Sequence, residues 1–184
     1  MSLDGTLQVK ASKKAKDDKA AGVYQKLSQL EHVLLRPDSY IGSIAHVPHN
    51  LYIFSEGKLE FNDVMYCPAL IKLVDEILVN ASDRQHDDLT MKNISVTVDE
   101  TSGVIAVKND GAGIPVVNHP KYGNEPVPQI IFGNFLTGQN FDDTQERLKG
   151  GRNGYGAKLV NAWSKSFTVT IVDPERQKQY KQKW

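Results

Sequence analysis

The sequence CPALIKLVDEILVNASD, from Cys67 to Asp83, decides the fold of this chain. Its apolar residues cover most of a helix circumference and leave one polar stripe of Lys72, Glu76 and Asn80, because residues four apart share a helix face. Pro68 suits a first helical position, where its missing N–H would have no partner within the helix. The pattern predicts a helix that is buried on nearly all sides and carries a carboxylate and an amide on one face.

Two interpretations of Glu76 and Asn80 are open at this point. In the first, they are the solvated edge of a core helix. In the second, they belong to a nucleotide site, because a carboxylate that orients water and an amide oxygen that binds a hard cation are what a magnesium-bound phosphate requires. An asparagine inside a helix costs up to about 0.7 kcal/mol relative to alanine, which favours a functional reason for Asn80.

Composition limits the class of protein. With 184 residues, 40% hydrophobic and 24% charged, the chain suits one globular domain with a real core. Lys plus Arg and Asp plus Glu are 22 each, so a role on DNA would require a local patch or further sequence. The single cysteine, Cys67, excludes an internal disulfide framework and is interpreted as a small buried hydrophobe. No apolar run of membrane-spanning length and no hydrophobic signal core occur, so we expect a soluble protein with no membrane partner.

The N-terminal region changes character near residue 22. Residues 1–21 are polar and rich in lysine, which predicts a flexible arm, either a plain solvated tail or a nuclear or organellar address. The apolar spacing from Leu27 to Leu34 predicts a helix that ends before Pro37. Leu51 to Phe54 predicts a short strand, followed by a turn at Glu56 to Lys58.

A hairpin is predicted after the central helix. Asn93 to Val98 and Val104 to Lys108 are alternating β-branched runs joined by a turn. The second run leads into NDGAGIP, in which Gly111 and Gly113 allow backbone to approach a flat ligand closely. A flexible turn is the other interpretation of this loop.

A second glycine-rich segment lies further along the chain. Gln129 to Leu136 predicts a helix opened by proline, and the polar segment from Thr137 to Gly151 has the length of a lid. GGRNGYGAK, ending at Lys158, then feeds a helical run, an arrangement typical of an anion site. Its G-x-x-G-x-G order reverses the Rossmann motif and no Ser or Thr follows Lys158, so the two familiar nucleotide motifs are absent. Phe167 to Val172 predicts another strand, and Pro174-Glu175 then predicts a turn toward residues 179–184.

Three elements in this order resemble the Bergerat (GHKL) ATPases: Glu76-x-x-x-Asn80, Asn109-x-Gly111-x-Gly113 and Gly151-x-x-Gly154-x-Gly156. The stretches EHVLLRPDSYIGS, DEILVNASD, GAGIPVV and GGRNGYGAKL are similar to the N-terminal ATPase region of eukaryotic type IIA DNA topoisomerases, from about Tyr24 to Trp184. The resemblance implies an α/β fold over residues 22–184, a two-layer sandwich in which a mixed, mostly antiparallel sheet packs on helices. It also implies a domain truncated before its natural end and before the transducer domain.

The resemblance assigns a role to each matching residue. It implies that Glu76 orients and deprotonates the attacking water, that Asn80 binds Mg²⁺, and that Asn109 accepts a hydrogen bond from the adenine amino group. The other nucleotide-binding residues that it implies are Gly113, Ile114, Asn140, Gly151, Arg152, Asn153, Gly154, Tyr155, Gly156, Ala157 and Lys158, with Tyr24 for the nucleotide of the partner subunit. The sequence departs from the family's Thr-Ser-Ser-Asn at Gly138 and Gln139, which removes two hydroxyls from the expected ribose or phosphate contacts.

The resemblance implies an ATP-dependent function and a location in the nucleus. A location in mitochondria or another organelle is the alternative. ATP with Mg²⁺ would close a homodimeric clamp while one DNA duplex passes through another, and hydrolysis would reset it. Double-stranded DNA would be bound by the full-length enzyme, and this chain alone would bind ATP but hydrolyse it poorly. A chaperone-type GHKL module is the alternative, against which LLRPDSYIGS and GGRNGYGAKL speak. An interaction domain with a degenerate site is a third, against which intact Glu76, Asn80 and Asn109 speak.

Overall fold

The computed structural model describes residues 22–135, 137 and 154–184. The chain divides into two compact units, one up to His32 and one from Val33 to Trp184. The predicted arm at 1–21 lies outside the described residues, as does the predicted lid apart from Thr137. The boundary predicted at residue 22 therefore stays a prediction.

Four α-helices and six strands are found within the described residues. In chain order they are α1 (Gln29–Leu35), a short 3-10 helix (Pro37–Ser39), β1 (Val47–Ser55), β2 (Lys58–Tyr66), α2 (Pro68–Asp87), β3 (Ile94–Asp99), β4 (Val104–Asn109), α3 (Val127–Gly133), α4 (Gly156–Trp163), β5 (Thr168–Asp173) and β6 (Lys178–Lys183). The described strands pair as three antiparallel hairpins, β1 with β2, β3 with β4 and β5 with β6. The α/β class and the antiparallel pairing that the sequence predicts are confirmed.

The helix predicted from Leu27 to Leu34 is α1, and its start is fixed by a capping box. The Glu31 backbone N–H donates to Ser28 Oγ at 3.3 Å, and the Ser28 backbone N–H donates to Glu31 Oε2 at 2.7 Å. These reciprocal bonds satisfy N–H groups that would otherwise lack partners at the helix start. The hydrogen bonds from Ser28 also lower the pKa of the Glu31 carboxyl.

The first hairpin is longer than the sequence predicts. The short strand expected from Leu51 to Phe54 extends over Val47–Ser55, and β2 pairs with its whole length through a turn in which Glu56 and Gly57 have φ of 48° and 84°. β2 was not predicted because Asp63 interrupts the alternation of apolar and polar residues that begins at Leu59.

Helix α2 begins at Pro68, as predicted, and runs for 20 residues. The prediction that it is buried on nearly all sides is wrong, because Leu70 and Ile71 are 52% and 58% exposed while Ala69 and Ala81 are buried. The reason is that α2 packs against α4 and β4, which cover only part of its circumference. Its apolar residues therefore line more than one face, and the described chain covers one of them.

The core joins the start of α2 to α4. Val33, Ile41, Ala69 and Leu159 form a buried cluster. Around it pack the partly buried side chains of Tyr40, Cys67, Leu73, Phe135, Tyr155, Ala162 and Trp163. Cys67 is half-buried against this cluster, close to its expected role as a small hydrophobe. The shared core fixes α4 beside α2, which places Gly156, at the start of α4, next to Glu76 on the polar face of α2.

No helix in the described part of the chain is both long enough and apolar enough to span a membrane.

Candidate active site

Glu76 lies in the middle of α2 with its carboxylate held by a lysine one turn earlier. Lys72 Nζ is 2.6 Å from Glu76 Oε1 and 3.7 Å from Asp75 Oδ2. The Glu76 side chain is 22% exposed, whereas that of Lys72 is 45% exposed. The hydrogen bond to Glu76 is the main cause of a raised pKa for Lys72, so the ammonium stays charged. Lys72 thus restrains the orientation of the carboxylate.

The start of α4 lies against the same carboxylate. A Cβ added at Gly156 would overlap Glu76 Oε2, so only glycine allows this approach. Gly154 has φ of 63°, a left-handed conformation that glycine adopts without strain and that turns the chain into α4. The backbone N–H groups at the start of a helix attract anions, and here they lie beside Glu76. The structure therefore brings together two elements that are about 80 residues apart in the sequence.

Lys158 supplies a buried cation in the first turn of α4. It is 5% exposed, and its ammonium donates a hydrogen bond to the backbone carbonyl of Thr137. The Thr137 hydroxyl contacts the carbonyl oxygens of Ile130 at 2.8 Å and Asn134 at 2.7 Å, which ties this residue to the end of α3. Burial lowers the pKa of Lys158 to about 8. An anion bound nearby would favour its charged form and raise this pKa again.

Asn80 follows Glu76 by one turn of α2 and is exposed. The described residues contain no group of three or more His, Cys, Asp or Glu side chains placed to hold a metal ion. The side-chain amide of Asn80 offers one hard oxygen ligand, and protein sites often bind Mg²⁺ through one or two side-chain oxygens, with phosphate oxygens and water as the remaining ligands. Asn80 is therefore suited to hold a cation that arrives with a phosphate.

The loop that follows β4 is held by side-chain hydrogen bonds and by close packing at its glycines. Asn109 Oδ1 accepts a hydrogen bond from the Gly111 backbone N–H at 3.2 Å. A Cβ added at Gly111 would lie 3.1 Å from Met91 Sδ and 3.2 Å from Arg84 Cγ, and one added at Gly113 would overlap the carbonyl oxygen of Val172. The sequence suggested that these glycines let a ligand approach. The structure shows that the protein's own packing already requires glycine at position 113 and leaves little room for a side chain at position 111.

The structure brings together only some of the residues expected in a nucleotide site. Gly154, Tyr155, Gly156, Ala157 and Lys158 lie at the start of α4, next to the Glu76 face of α2. Asn109, Gly113 and Ile114 lie in or beside the loop after β4. Asn140, Gly151, Arg152 and Asn153 lie outside the described residues, and Tyr24, in the first unit, is 86% exposed. The individual roles of all these residues remain predictions.

The sequence placed Lys72 on the polar stripe of α2 but indicated no role for it in the site. The signal was present, because a lysine and a glutamate four residues apart on a helix are placed to form an ion pair. The short contact to a partly buried carboxylate distinguishes this pair from an ordinary surface pair.

Comparison with known proteins assigns this arrangement to a family. The family model described as histidine kinase-, DNA gyrase B- and HSP90-like ATPase matches residues 67–180, which include α2, the loop after β4 and α4. The chain belongs to this ATPase family. The resemblance to the Bergerat ATPases, which rested on the motifs around Glu76, Asn109 and Gly156, is thereby confirmed.

The similar proteins narrow the family further. The chain is 46% identical over 172 residues to DNA topoisomerase 2 of Penicillium chrysogenum and 45% identical over 187 residues to human DNA topoisomerase 2-alpha. It matches the crystal structure of the ATPase region of Saccharomyces cerevisiae topoisomerase II with a TM-score of 0.86 and 44% identity, over 89% of this chain and 44% of that one. The predicted GHKL fold class is confirmed, and the chain is homologous to the ATPase region of eukaryotic type II topoisomerases. The match covers 92% of this chain and 11% of the Penicillium protein. The match to the human protein covers 99% of this chain and 12% of that protein.

Proposed function

We propose that this chain is the ATP-binding and ATP-hydrolysing domain of a type II DNA topoisomerase. The observation that carries the proposal is the approach of Gly156, at the start of α4, to the carboxylate of Glu76 on α2. This arrangement sets a base for water activation beside backbone N–H groups suited to phosphate.

Different residues of the chain would have different roles in ATP binding and hydrolysis. Glu76 would orient the attacking water and accept its proton, with Lys72 holding the carboxylate in place. The backbone N–H groups at the start of α4 and the Lys158 ammonium would bind the phosphates, and Asn109 would bind the adenine. Asn80 would hold Mg²⁺, which supplies neutralisation of phosphate charge when bound. The contribution of the protein is mainly positioning and electrostatic stabilisation.

Nucleotide binding is the first test of the proposal. We expect a nonhydrolysable ATP analogue to bind this chain in calorimetry when Mg²⁺ is present, and to bind at least about tenfold more weakly to Asn80→Ala or without magnesium, since a cation ligand is lost. Gln85→Ala, at an exposed position of the same helix, serves as the control and should bind like the wild type. A folded chain that binds no nucleotide would contradict the proposal.

Nucleotide binding should also take up a proton at mildly alkaline pH. The pKa of Lys158 is about 8 because of burial, and a bound phosphate would raise it by favouring the charged form. At pH 8.5 we expect an uptake of roughly three quarters of a proton per nucleotide, falling towards zero below pH 7. The measurement is calorimetry in buffers that differ in ionisation enthalpy.

Two lysine substitutions test this prediction, one at the proposed titrating group and one at a control position. Lys158→Met should abolish the uptake, while Lys165→Met, at an exposed position after α4, should keep it. An uptake that persists in Lys158→Met would show that another group titrates.

The actions on DNA, the dimer and the nuclear location are further parts of the proposal. In this proposal ATP closes a homodimeric clamp around DNA, and hydrolysis resets it. The 44–46% identity to topoisomerases over nearly the whole chain supports this reading over a chaperone-type module. DNA-stimulated ATP hydrolysis by the full-length protein would support it, and stimulation by unfolded protein clients in place of DNA would contradict it.

A further inference from the structure

Two aspartates outside the predicted site hold the loop that carries Asn109. Asp110 Oδ1 accepts hydrogen bonds from the backbone N–H groups of Lys92 and Asn93, both at 2.9 Å. Asp110 Oδ2 accepts a bond from the Asn93 side-chain amide at 2.8 Å. The Asp110 backbone N–H in turn donates to the carbonyl of Asn93 at 3.3 Å. One end of the loop is therefore fixed to the segment that precedes β3.

Asp88 fixes the other end of the same loop. Its Oδ2 accepts a hydrogen bond from the Ala112 backbone N–H at 2.6 Å, and its Oδ1 accepts one from the Thr90 backbone N–H at 3.0 Å. Asp88 is the residue that caps α2, and its own backbone N–H donates to the carbonyl of Arg84 at 3.0 Å. The residue that caps the helix of Glu76 and Asn80 thus also holds the loop after β4, through its hydrogen bond from Ala112.

The conformation of this loop determines what Asn109 can do. Its side-chain oxygen already accepts the Gly111 N–H, which holds the side chain in one orientation. An amide oxygen has a second lone pair, so it can accept one further hydrogen bond in that orientation. If the loop moved, the direction of this free lone pair would change with it.

We propose that Asp88 and Asp110 are positioning residues for recognition of the nucleotide base, acting through the loop that holds Asn109. The inference rests on the proposed function, because it assigns Asn109 to the base. In this proposal the two aspartates act only through the loop and make no contact with the nucleotide themselves. The hydrogen bond from the Thr90 hydroxyl is the main cause of a lowered pKa for the Asp88 carboxyl, and the backbone N–H groups of Ala112 and Thr90 add to it. Hydrogen bonds from Asn93 and Lys92 lower the pKa of Asp110 to about 2, so both carboxylates are acceptors at neutral pH.

The test compares three probes on the intact chain by calorimetry: a nonhydrolysable ATP analogue, the corresponding GTP analogue and inorganic tripolyphosphate, each with Mg²⁺. Tripolyphosphate reports on the phosphate subsite alone. We expect Asp110→Ala and Asp88→Ala each to weaken the ATP analogue by about tenfold and to narrow the preference for adenine over guanine, while tripolyphosphate binds as in the wild type.

Asp99 provides the matched control. It lies at the far end of the same hairpin and accepts comparable local bonds, from the Thr101 N–H at 3.0 Å and the Ser102 N–H at 3.2 Å. Asp99→Ala removes a similar turn carboxylate without touching the loop, so it should bind all three probes like the wild type.

Asn93→Ala and Asp110→Asn provide a gentler version of the test. Asn93→Ala removes the bond between Asn93 Nδ2 and Asp110 Oδ2. Asp110→Asn replaces the charged acceptor of that bond by a neutral amide and keeps an oxygen for the two backbone N–H groups. We expect each to weaken the ATP analogue by a few-fold and the double variant to be no weaker than either, because both act on one shared interaction. These variants decide the matter if Asp110→Ala does not fold.

Two results would overturn the inference. One is adenine affinity and selectivity in Asp88→Ala and Asp110→Ala equal to those of Asp99→Ala. The other is an equal loss for the ATP analogue and tripolyphosphate, which would indicate a general structural role. Absence of ATP-analogue binding to the wild type would instead contradict the proposed function, so the two failures are distinguishable.

Discussion

Glu76→Gln should lower the rate of ATP hydrolysis by at least about a hundredfold, because the amide can hold a water but cannot accept its proton. Nucleotide affinity should change by less than about threefold, since the substitution is nearly isosteric and leaves the phosphate-binding groups at the start of α4 in place. Hydrolysis is best measured after this chain has replaced the matching part of the Saccharomyces cerevisiae ATPase region, because the chain covers 44% of that structure.

Asp75→Asn is the matched control for Glu76→Gln. Asp75 is the preceding residue of α2, its side chain is 55% exposed, and it lies 3.7 Å from the same lysine. It has no expected part in water activation, so hydrolysis should stay within about twofold of the wild type. Wild-type turnover in Glu76→Gln would remove the proposed base.

Gly156→Ala should reduce hydrolysis by about ten- to a hundredfold with little loss of stability. The new Cβ would occupy the position of Glu76 Oε2, and the flexible end of that side chain would turn away to admit it. Gly156 is not among the glycines with positive φ, so alanine suits its backbone and favours the helix slightly. Displacement of a reacting group by about 1 Å can cost a hundredfold in rate, so catalysis should suffer more than folding.

A double variant shows whether this loss acts through Glu76. If Gly156→Ala works by moving the carboxylate, it should add almost nothing to the defect of Glu76→Gln, because both remove the same function. Thermal unfolding of the single variants should occur within a few degrees of the wild type. A large drop in the unfolding temperature of Gly156→Ala, or fully additive losses in rate, would contradict the mechanism.

The sequence predicted those helices and strands whose apolar residues recur with the period of the element or whose ends carry a clear signal. The proline at position 68 marked the start of α2, and the β-branched alternation from Asn93 to Lys108 marked the β3–β4 hairpin. β2 was missed because Asp63 stands where the alternation begun by Leu59 and Phe61 calls for an apolar residue, although Phe61 pairs with Tyr52 across the hairpin. The burial of α2 was overestimated because the composition of a helix does not show which of its apolar faces is covered.

The site could be predicted as a set of residues but not as a geometry. The order of Glu76, Asn109 and Gly156 along the chain indicated the family, since each belongs to a short motif. The overlap between Glu76 and Gly156 was not predictable, because it depends on the packing of α4 against α2. The bonds from Asp110 to residues 92 and 93 likewise depend on how the chain folds after α2 ends.

α2 carries Glu76 near its middle and Asp88 at its end. The length of this helix therefore sets the distance between the start of α4, beside Glu76, and the loop after β4, which Asp88 holds. Glu76 and Asp88 are separated by about 18 Å along the helix axis, at about 1.5 Å per residue. Inserting or deleting one residue between them would shift that spacing by about 1.5 Å and rotate Asp88 by about 100° away from Ala112. The length of this segment should therefore tolerate no change, whereas its exposed side chains, such as Gln85, are free to vary.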